Sequence, residues 1–175
     1  MKIIAPIAAL LTLLLAACGP GSTEVAEPRE PGPDALGHFC RMTLAEHKGP
    51  KGQILPRGWK EPVWFSSVRD ALTYVEQDIV SDREISGFWV NDMGQGTWEQ
   101  PAPGSWIDAR AALYVVGSSK SSGMGPPEAV PFKERKAAEV FAGQFGGNIV
   151  DYRSARQAMM LEPDSAGETV KEGGT

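Results

Sequence analysis

Two sulfur-bearing side chains, Cys40 and Met42, stand two positions apart in this 175-residue chain. The pattern of residues 39–44 predicts a short β-strand, and in a strand the side chains of residues i and i+2 point to the same face. We therefore expect the two sulfur atoms to lie side by side. A thiolate and a thioether are soft donors, and such donors suit a soft metal ion such as Cu(I).

A third sulfur atom belongs to Met124, which stands between Gly123 and Gly125 in a loop rich in Ser, Gly and Pro over residues 118–127. Such a polar loop has little need of a large apolar residue for packing, so the thioether is a candidate ligand for a site formed elsewhere. Local packing of an exposed methionine is the alternative, and the sequence leaves it open. Met93 lies in a similar turn and is the weaker candidate.

Two histidines, His38 and His47, flank the Cys40 segment. Imidazole is a reasonable ligand for Cu(I), so His47 is a candidate for a further or transient ligand. Two histidines without additional cysteines do not make the pattern of a zinc site. His47 could also activate Cys40 as a nucleophile, and Cys40 could be a buried structural cysteine; the residues alone leave these alternatives open.

The amino terminus has the composition of a secretory signal. Lys2 is followed by an apolar run over residues 3–17, which is too short to span a bilayer comfortably. The run ends in Leu-Ala-Ala-Cys, which resembles the lipobox of bacterial lipoproteins, and this predicts removal of residues 1–17 and acylation of Cys18, with palmitate as the expected modification. Gly19 follows, and in Gram-negative lipoproteins a residue of this kind permits sorting to the outer membrane. A plain secretory signal with an incidental cysteine is the alternative.

The charge balance of the chain is acidic. The net charge is −5, from 17 basic and 22 acidic residues, and removal of residues 1–17 takes away only Lys2, which leaves 16 against 22, or −6. This balance argues against nucleic acid or an anionic lipid surface as a partner, because both require a cationic surface. With Cys18 acylated, Cys40 is a lone thiol in an oxidising compartment, where it must be buried, liganded or used.

Composition divides the remaining chain into three parts. Residues 18–35 are rich in Gly, Pro, Ser and Glu, which predicts a lipidated amino terminus followed by a disordered, flexible tether. The globular domain is expected over residues 36–161. The polar residues 162–175 predict a disordered tail.

Hydrophobic periodicity predicts strands and helices within the domain. The predicted strands lie at 39–44, 53–55, 63–65, 85–90, 106–109, 112–116, 130–132 and 148–152. One predicted helix begins after an N-cap at Ser66 or Ser67 and runs to about Gln77, and another runs from about Lys133 to Phe145, where two glycines stop it.

The second half of the domain repeats the order of the first. A shift of 67 positions lays Val63 on Val130 and Phe65 on Phe132. Within the two predicted helices, the same shift lays Ala71 on Ala138 and the aromatic Tyr74 on Phe141. We therefore predict an α+β fold in which two similar ββαβ units, at about 36–92 and 104–153, pack in one small globular protein. The alternative is that any two amphipathic helices can be aligned in this manner.

Several longer motifs carry a resemblance to a known family. They occupy residues 39–54, 64–70, 90–94, 106–110, 123–125 and 128–132. In this order they resemble NosL, the family of copper-delivery lipoproteins for nitrous oxide reductase, over roughly residues 40–152. The resemblance implies a repeated ββαβ fold similar to that of an organomercurial lyase, and Cys40, Met42 and Met124 as the copper ligands. Arg41 departs from the family pattern, because many members have Gly between the two sulfurs.

The resemblance also implies a function. It predicts a lipid-anchored, non-enzymatic copper chaperone on the periplasmic side of the envelope, at the outer membrane, that takes part in denitrification. Such a protein binds one Cu(I) and passes it on, through a membrane ABC-type complex, for assembly of the copper-sulfide centre of nitrous oxide reductase. A thiol-dependent lyase or oxidoreductase using Cys40 is the enzymatic alternative, and an interaction module in which Cys40 only packs is another.

Overall fold

A computed structural model describes residues 26–77, 81–123 and 125–161. The predicted signal peptide, the acylation site Cys18, the tail 162–175 and the candidate ligand Met124 lie outside the described residues. Among the described helices, none has both the length and the apolar character that a membrane crossing requires.

The described residues form seven strands and three α-helices, with single 3-10 turns at Leu44–Glu46 and Asp82–Glu84. The strands are β1 Gly52–Pro56, β2 Val63–Phe65, β3 Ile85–Asn91, β4 Trp106–Asp108, β5 Leu113–Val116, β6 Val130–Phe132 and β7 Asn148–Val150. The helices are α1 Val68–Glu76, α2 Arg135–Phe145 and α3 Tyr152–Leu161.

The predicted internal repeat is confirmed by the topology. The strands form two antiparallel sheets, with the orders β2-β1-β3-β4 and β6-β5-β7. The elements β1, β2, α1 and β3 therefore follow the same plan as β5, β6, α2 and β7, with the first strand of each unit in the middle. The shift of 67 positions carries Val63–Phe65 onto Val130–Phe132 and the first residue of α1 onto the first residue of α2. The predicted mixed fold of two ββαβ units is thus the observed one.

Helix α1 lies directly on the first sheet. Its apolar face is buried through Ala71, Leu72 and Val75, and Ser67 caps its amino terminus by accepting a hydrogen bond from the Asp70 N–H. A side chain at Gly52 in β1 would place its Cβ 2.7 Å from the Cβ of Ala71, so the close approach of helix and strand requires glycine at this position. This packing fixes the first turn of α1, which borders the candidate site.

The predicted strand over residues 39–44 is wrong. The chain turns there, because Arg41 adopts a left-handed conformation with φ of 59° and its N–H donates to the Gly37 carbonyl. The Gly37 N–H donates to the Met42 carbonyl, and Leu36 pairs with Thr43 in an isolated bridge. The alternation of an extended strand therefore does not apply to the two sulfur-bearing residues.

The left-handed residue gives a testable stability prediction. The left-handed conformation costs an L-residue roughly 1–2 kcal/mol, and glycine avoids this cost. About half of that advantage is lost, because glycine has more conformational freedom in the unfolded chain. Arg41→Gly is therefore expected to stabilise the protein by up to about 1 kcal/mol in urea unfolding. Lys60→Gly is the control, since it removes an exposed cation without positive φ. Equal destabilisation by both changes would contradict this account.

Two further predictions need correction. Residues 29–35 are attached to the domain rather than part of a free tether: the Arg29 N–H donates to Gln53, whose side-chain amide donates back to the Arg29 carbonyl. Glu30 accepts hydrogen bonds from the Gly104 N–H and the Trp106 indole. The predicted strand 148–152 ends at Val150, and helix α3 follows at once, packing on α1 and β5. Local composition did not indicate these long-range contacts.

Candidate metal centre

The Cys40 sulfur lies between an imidazole and a hydroxyl group. Its Sγ is 3.6 Å from His47 Nε2 and 3.4 Å from Ser66 Oγ, and the residue is partly buried. A Cβ at position 37 would stand 2.7 Å from the sulfur, so the space that Sγ occupies depends on the absence of a side chain at Gly37. The turn thus directs the thiol towards polar partners rather than into the apolar core.

His47 links Cys40 to a second part of the chain. It caps the 3-10 turn Leu44–Glu46 and is only 7% exposed. While Nε2 faces Cys40, the Nδ1 atom faces Gly123, where an added Cβ would stand 2.5 Å from that nitrogen. The imidazole therefore lies between the Cys40 turn and the loop that carries Met124.

That loop is a closed turn held by its own backbone. Ser121 and Pro127 form an isolated bridge, the Ser122 N–H donates to the Pro126 carbonyl at 2.7 Å, and the Gly125 N–H donates to the Ser122 carbonyl at 2.9 Å. The residues on both sides of Met124 are thus placed, and Gly123 lies so close to His47 that a Cβ there would clash with the ring. The structure brings together the two segments, far apart in sequence, that were predicted to supply sulfur ligands.

Asp70 adds a carboxyl group near the same ring. Burial raises its pKa, while the hydrogen bond with Ser67 and the positive charges of Arg69 and His47 oppose that rise. Asp70 also lines a cleft of about 380 Å³ together with Phe39 and Met160. A carboxyl group that interacts electrostatically with His47 is therefore available at the border of the site.

The remaining predicted ligands have less direct placements. Met42 lies in the turn with 43% of its surface exposed. Met93 is partly buried and packs against the core cluster around Phe132, which favours a packing role. The His38 ring packs edge-on against Phe39 and Tyr74, with centroids 5.0 Å apart in each pair. Of the two histidines, His47 is the one whose ring meets the thiol.

Sequence reasoning missed Ser66 and Asp70 as neighbours of the site. Both belong to the 64–70 motif that carries the family resemblance, yet their spacing gives no sign of a contact with Cys40 or His47. Across residues 26–77, 81–123 and 125–161, no group of three or more His, Cys, Asp and Glu side chains is placed to hold a metal ion.

Comparison with known proteins identifies the family. The NosL family model matches residues 28–160. The chain belongs to the NosL family. It is 43% identical over 158 residues to the copper-binding lipoprotein NosL of Achromobacter cycloclastes, covering 88% of this chain and 80% of that protein. It is 35% identical over 165 residues to the protein of the same name from Stutzerimonas stutzeri, covering 91% and 83% of the two chains.

A solved structure supports the same assignment. The crystal structure of the copper chaperone NosL from Shewanella denitrificans matches with a TM-score of 0.65 and 29% identity, covering 73% of this chain and 96% of that chain. The resemblance seen in the sequence is thereby confirmed. These NosL relatives are named as copper-binding lipoproteins or as a copper chaperone, not as enzymes, in agreement with the prediction of a non-enzymatic protein.

Proposed function

We propose that this NosL-family protein is a copper chaperone that binds one Cu(I) as cargo through Cys40, Met42 and Met124. In this proposal, acylated Cys18 anchors it on the periplasmic side of the envelope, at the outer membrane. It hands Cu(I) to a membrane ABC-type complex for assembly of the copper-sulfide centre of nitrous oxide reductase.

One observation carries the proposal. The Cys40 sulfur lies 3.6 Å from His47 Nε2, and Nδ1 of the same imidazole would stand 2.5 Å from a Cβ at Gly123, the residue before Met124. The Cys40 thiol and the residue that precedes Met124 in the chain, which belong to different units, therefore lie on two sides of one ring. The names of the relatives, which specify copper binding, make Cu(I) the ion to test first.

The donor set suits both binding and release of Cu(I). A thiolate supplies the negative charge, and neutral thioethers supply soft donors that do not need to lose a proton. His47 Nε2 lies 3.6 Å from the sulfur and can hold it by a hydrogen bond. Because Met42 is 43% exposed, a donor atom of an acceptor protein can approach from that side and replace it.

The decisive experiment is an anaerobic Cu(I) titration of the mature chain against a competing chelator, with Cys18→Ser so that Cys40 is the sole thiol. One equivalent is expected to bind tightly. Met42→Ala and Met124→Ala are each expected to weaken binding by about 10–100-fold. This is the loss of affinity that removal of an outer-shell partner typically causes, and removal of a ligand should cost at least as much. Met93→Ala is the matched control and should leave the affinity unchanged.

The opposite results are clear-cut. Absence of tight binding, or thioether variants that bind as well as the wild type, would refute the proposed site.

Delivery is tested with the same variants in cells, where nitrous oxide reductase purified from strains with the weakened site should contain less copper. A reductase with full copper content in a strain lacking this protein would refute the delivery step.

A further inference from the structure

Glu128 is a fully buried carboxyl group, 1% exposed, that joins the two units. Its Oε1 accepts hydrogen bonds from the Arg69 N–H at 2.8 Å and from the Ala129 N–H at 3.0 Å. Its Oε2 is buried without a hydrogen-bond partner among the described residues. Arg69 is the second residue of α1, so Glu128 caps the first turn of that helix from the other unit.

The same residue closes the base of the loop that carries Met124. The Glu128 N–H donates to the Lys120 carbonyl at 3.3 Å, and the preceding residue, Pro127, accepts a hydrogen bond from Arg69 Nη1 at 3.3 Å. The loop is therefore fastened to α1 at the point where its two ends meet.

The first turn of α1 also supports the other half of the site. Ser66 lies just before the N-cap and contacts the Cys40 sulfur at 3.4 Å. Asp70, in the first turn, interacts electrostatically with His47. One short stretch of chain thus contacts the thiol through Ser66 and the loop base through Arg69.

We propose that Glu128 is a positioning residue that holds the Met124 loop against His47 by capping α1. It is not a metal ligand in this proposal. The inference rests on the copper site proposed above, and it adds a residue that neither spacing nor donor chemistry indicates. The amide oxygen of Gln can accept the same two N–H groups, whereas Ala offers no acceptor.

A double-mutant cycle of Cu(I) affinity tests this role, using Glu128→Ala, Met124→Ala and the double variant. Glu128→Ala is expected to weaken binding by about 10–100-fold, as does loss of other outer-shell partners, and to add nothing once Met124 is replaced. Glu128→Gln is expected to bind like the wild type. Additive losses, an unchanged affinity in Glu128→Ala, or a Gln variant as weak as the Ala variant would each overturn the proposal.

A second variant tests the position of the loop even if Glu128→Ala fails to fold. Gly123→Ala removes no buried group, but its Cβ would meet His47 Nδ1 at 2.5 Å and push the loop from the ring. It is expected to weaken Cu(I) binding by a similar factor and to be non-additive with Met124→Ala. An unchanged affinity would show that the loop contact with His47 does not matter, and would overturn the proposal.

A metal-free measurement separates this inference from the proposed function. The ring signals of His47 in NMR spectra of the copper-free protein should move in Glu128→Ala and stay in place in Glu128→Gln, with the His38 ring as an internal reference. If the wild type failed to bind Cu(I), the proposed function would fail while these signals still decided the role of Glu128. Unmoved His47 signals in Glu128→Ala would overturn the positioning role.

Discussion

Cys40→Ser is expected to weaken Cu(I) binding by more than about 100-fold, beyond the 10–100-fold range typical of outer-shell changes. Serine has nearly the same shape, but it replaces a soft, ionisable sulfur with a hard, neutral hydroxyl that Cu(I) does not favour. Because Cys40 is only partly buried and its Sγ already lies 3.4 Å from the Ser66 hydroxyl, the substitution should cost little stability. A competition titration measures the affinity, and urea unfolding measures the stability.

Ser66→Ala is the matched control for Cys40→Ser. It removes the hydroxyl partner but leaves the thiol, so we expect a loss of at most about tenfold, at the low end for an outer-shell partner. The comparison also separates the rival roles of Cys40. A cysteine that only packs would give a stability loss without an affinity loss, and a catalytic thiol would give turnover without copper. Equal copper affinities in the wild type and Cys40→Ser would rule out the sulfur-based site.

The fold was predictable from the sequence where local pattern and tertiary packing agree. Helix α1 has a Ser N-cap and an amphipathic face, and helix α2 ends at Phe145, just before Gly146, whose φ of 76° suits glycine. The repeat followed from matching β2 and β6 at one fixed shift. The helix ends are encoded within a few neighbouring residues, and the repeat appears as one constant shift along the chain, so spacing alone reveals both.

The Cys40 turn was not predictable because its conformation depends on one left-handed residue. Alternation of apolar residues in 39–44 is compatible with a strand, and Arg41 is a residue type that rarely takes positive φ. The prediction of a free tether over residues 29–35 was wrong for a related reason. Its composition resembles a linker, but hydrogen bonds from Arg29 and Glu30 to distant residues attach it to the domain.

The candidate site was predictable in its sulfur chemistry and not in its supports. Cys40, Met42 and Met124 follow from residue type and from the family resemblance, and they stay predictions as ligands. The contact of His47 with Cys40 gives new weight to a histidine whose role the sequence left open. Glu128 was invisible to sequence reasoning, because a carboxyl group in an otherwise apolar strand entry does not reveal which helix it caps.

Glu128→Gln is expected to remove the contribution of Glu128 to the loss of stability that the wild-type protein shows as the pH rises from about 5 to 8. Burial raises the pKa of Glu128 from 4.5 to about 8, against the hydrogen bonds from the Arg69 and Ala129 N–H groups and the charge of Lys51, while Asp70 adds to the rise. The folded protein therefore keeps a proton that the unfolded chain releases near its ordinary pKa.

The sign follows from proton linkage. A group whose pKa is higher in the folded state stabilises the protein fully below the unfolded pKa, and this contribution is lost as the pH rises towards the folded pKa. With about 1.4 kcal/mol for each unit of pKa, the loss amounts to a few kcal/mol in the free energy of unfolding. Gln cannot ionise, so its variant should lack this contribution and show a shallower slope than the wild type in urea unfolding between pH 5 and 8.

Two neighbouring groups determine how the comparison must be made. Burial lowers the pKa of Lys51 from 10.5 to about 8. Its contribution to the free energy of unfolding therefore changes between these two pH values, where stability rises with pH. Measurements below pH 8 avoid this contribution. The raised pKa of Asp70 gives the wild type and the variant the same slope, which cancels in their difference. Glu46→Gln, at an exposed carboxyl, should keep the wild-type slope. Parallel curves for the wild type and Glu128→Gln would show that Glu128 is ionised in the folded protein, in which case the cap is a buried carboxylate rather than a neutral acid.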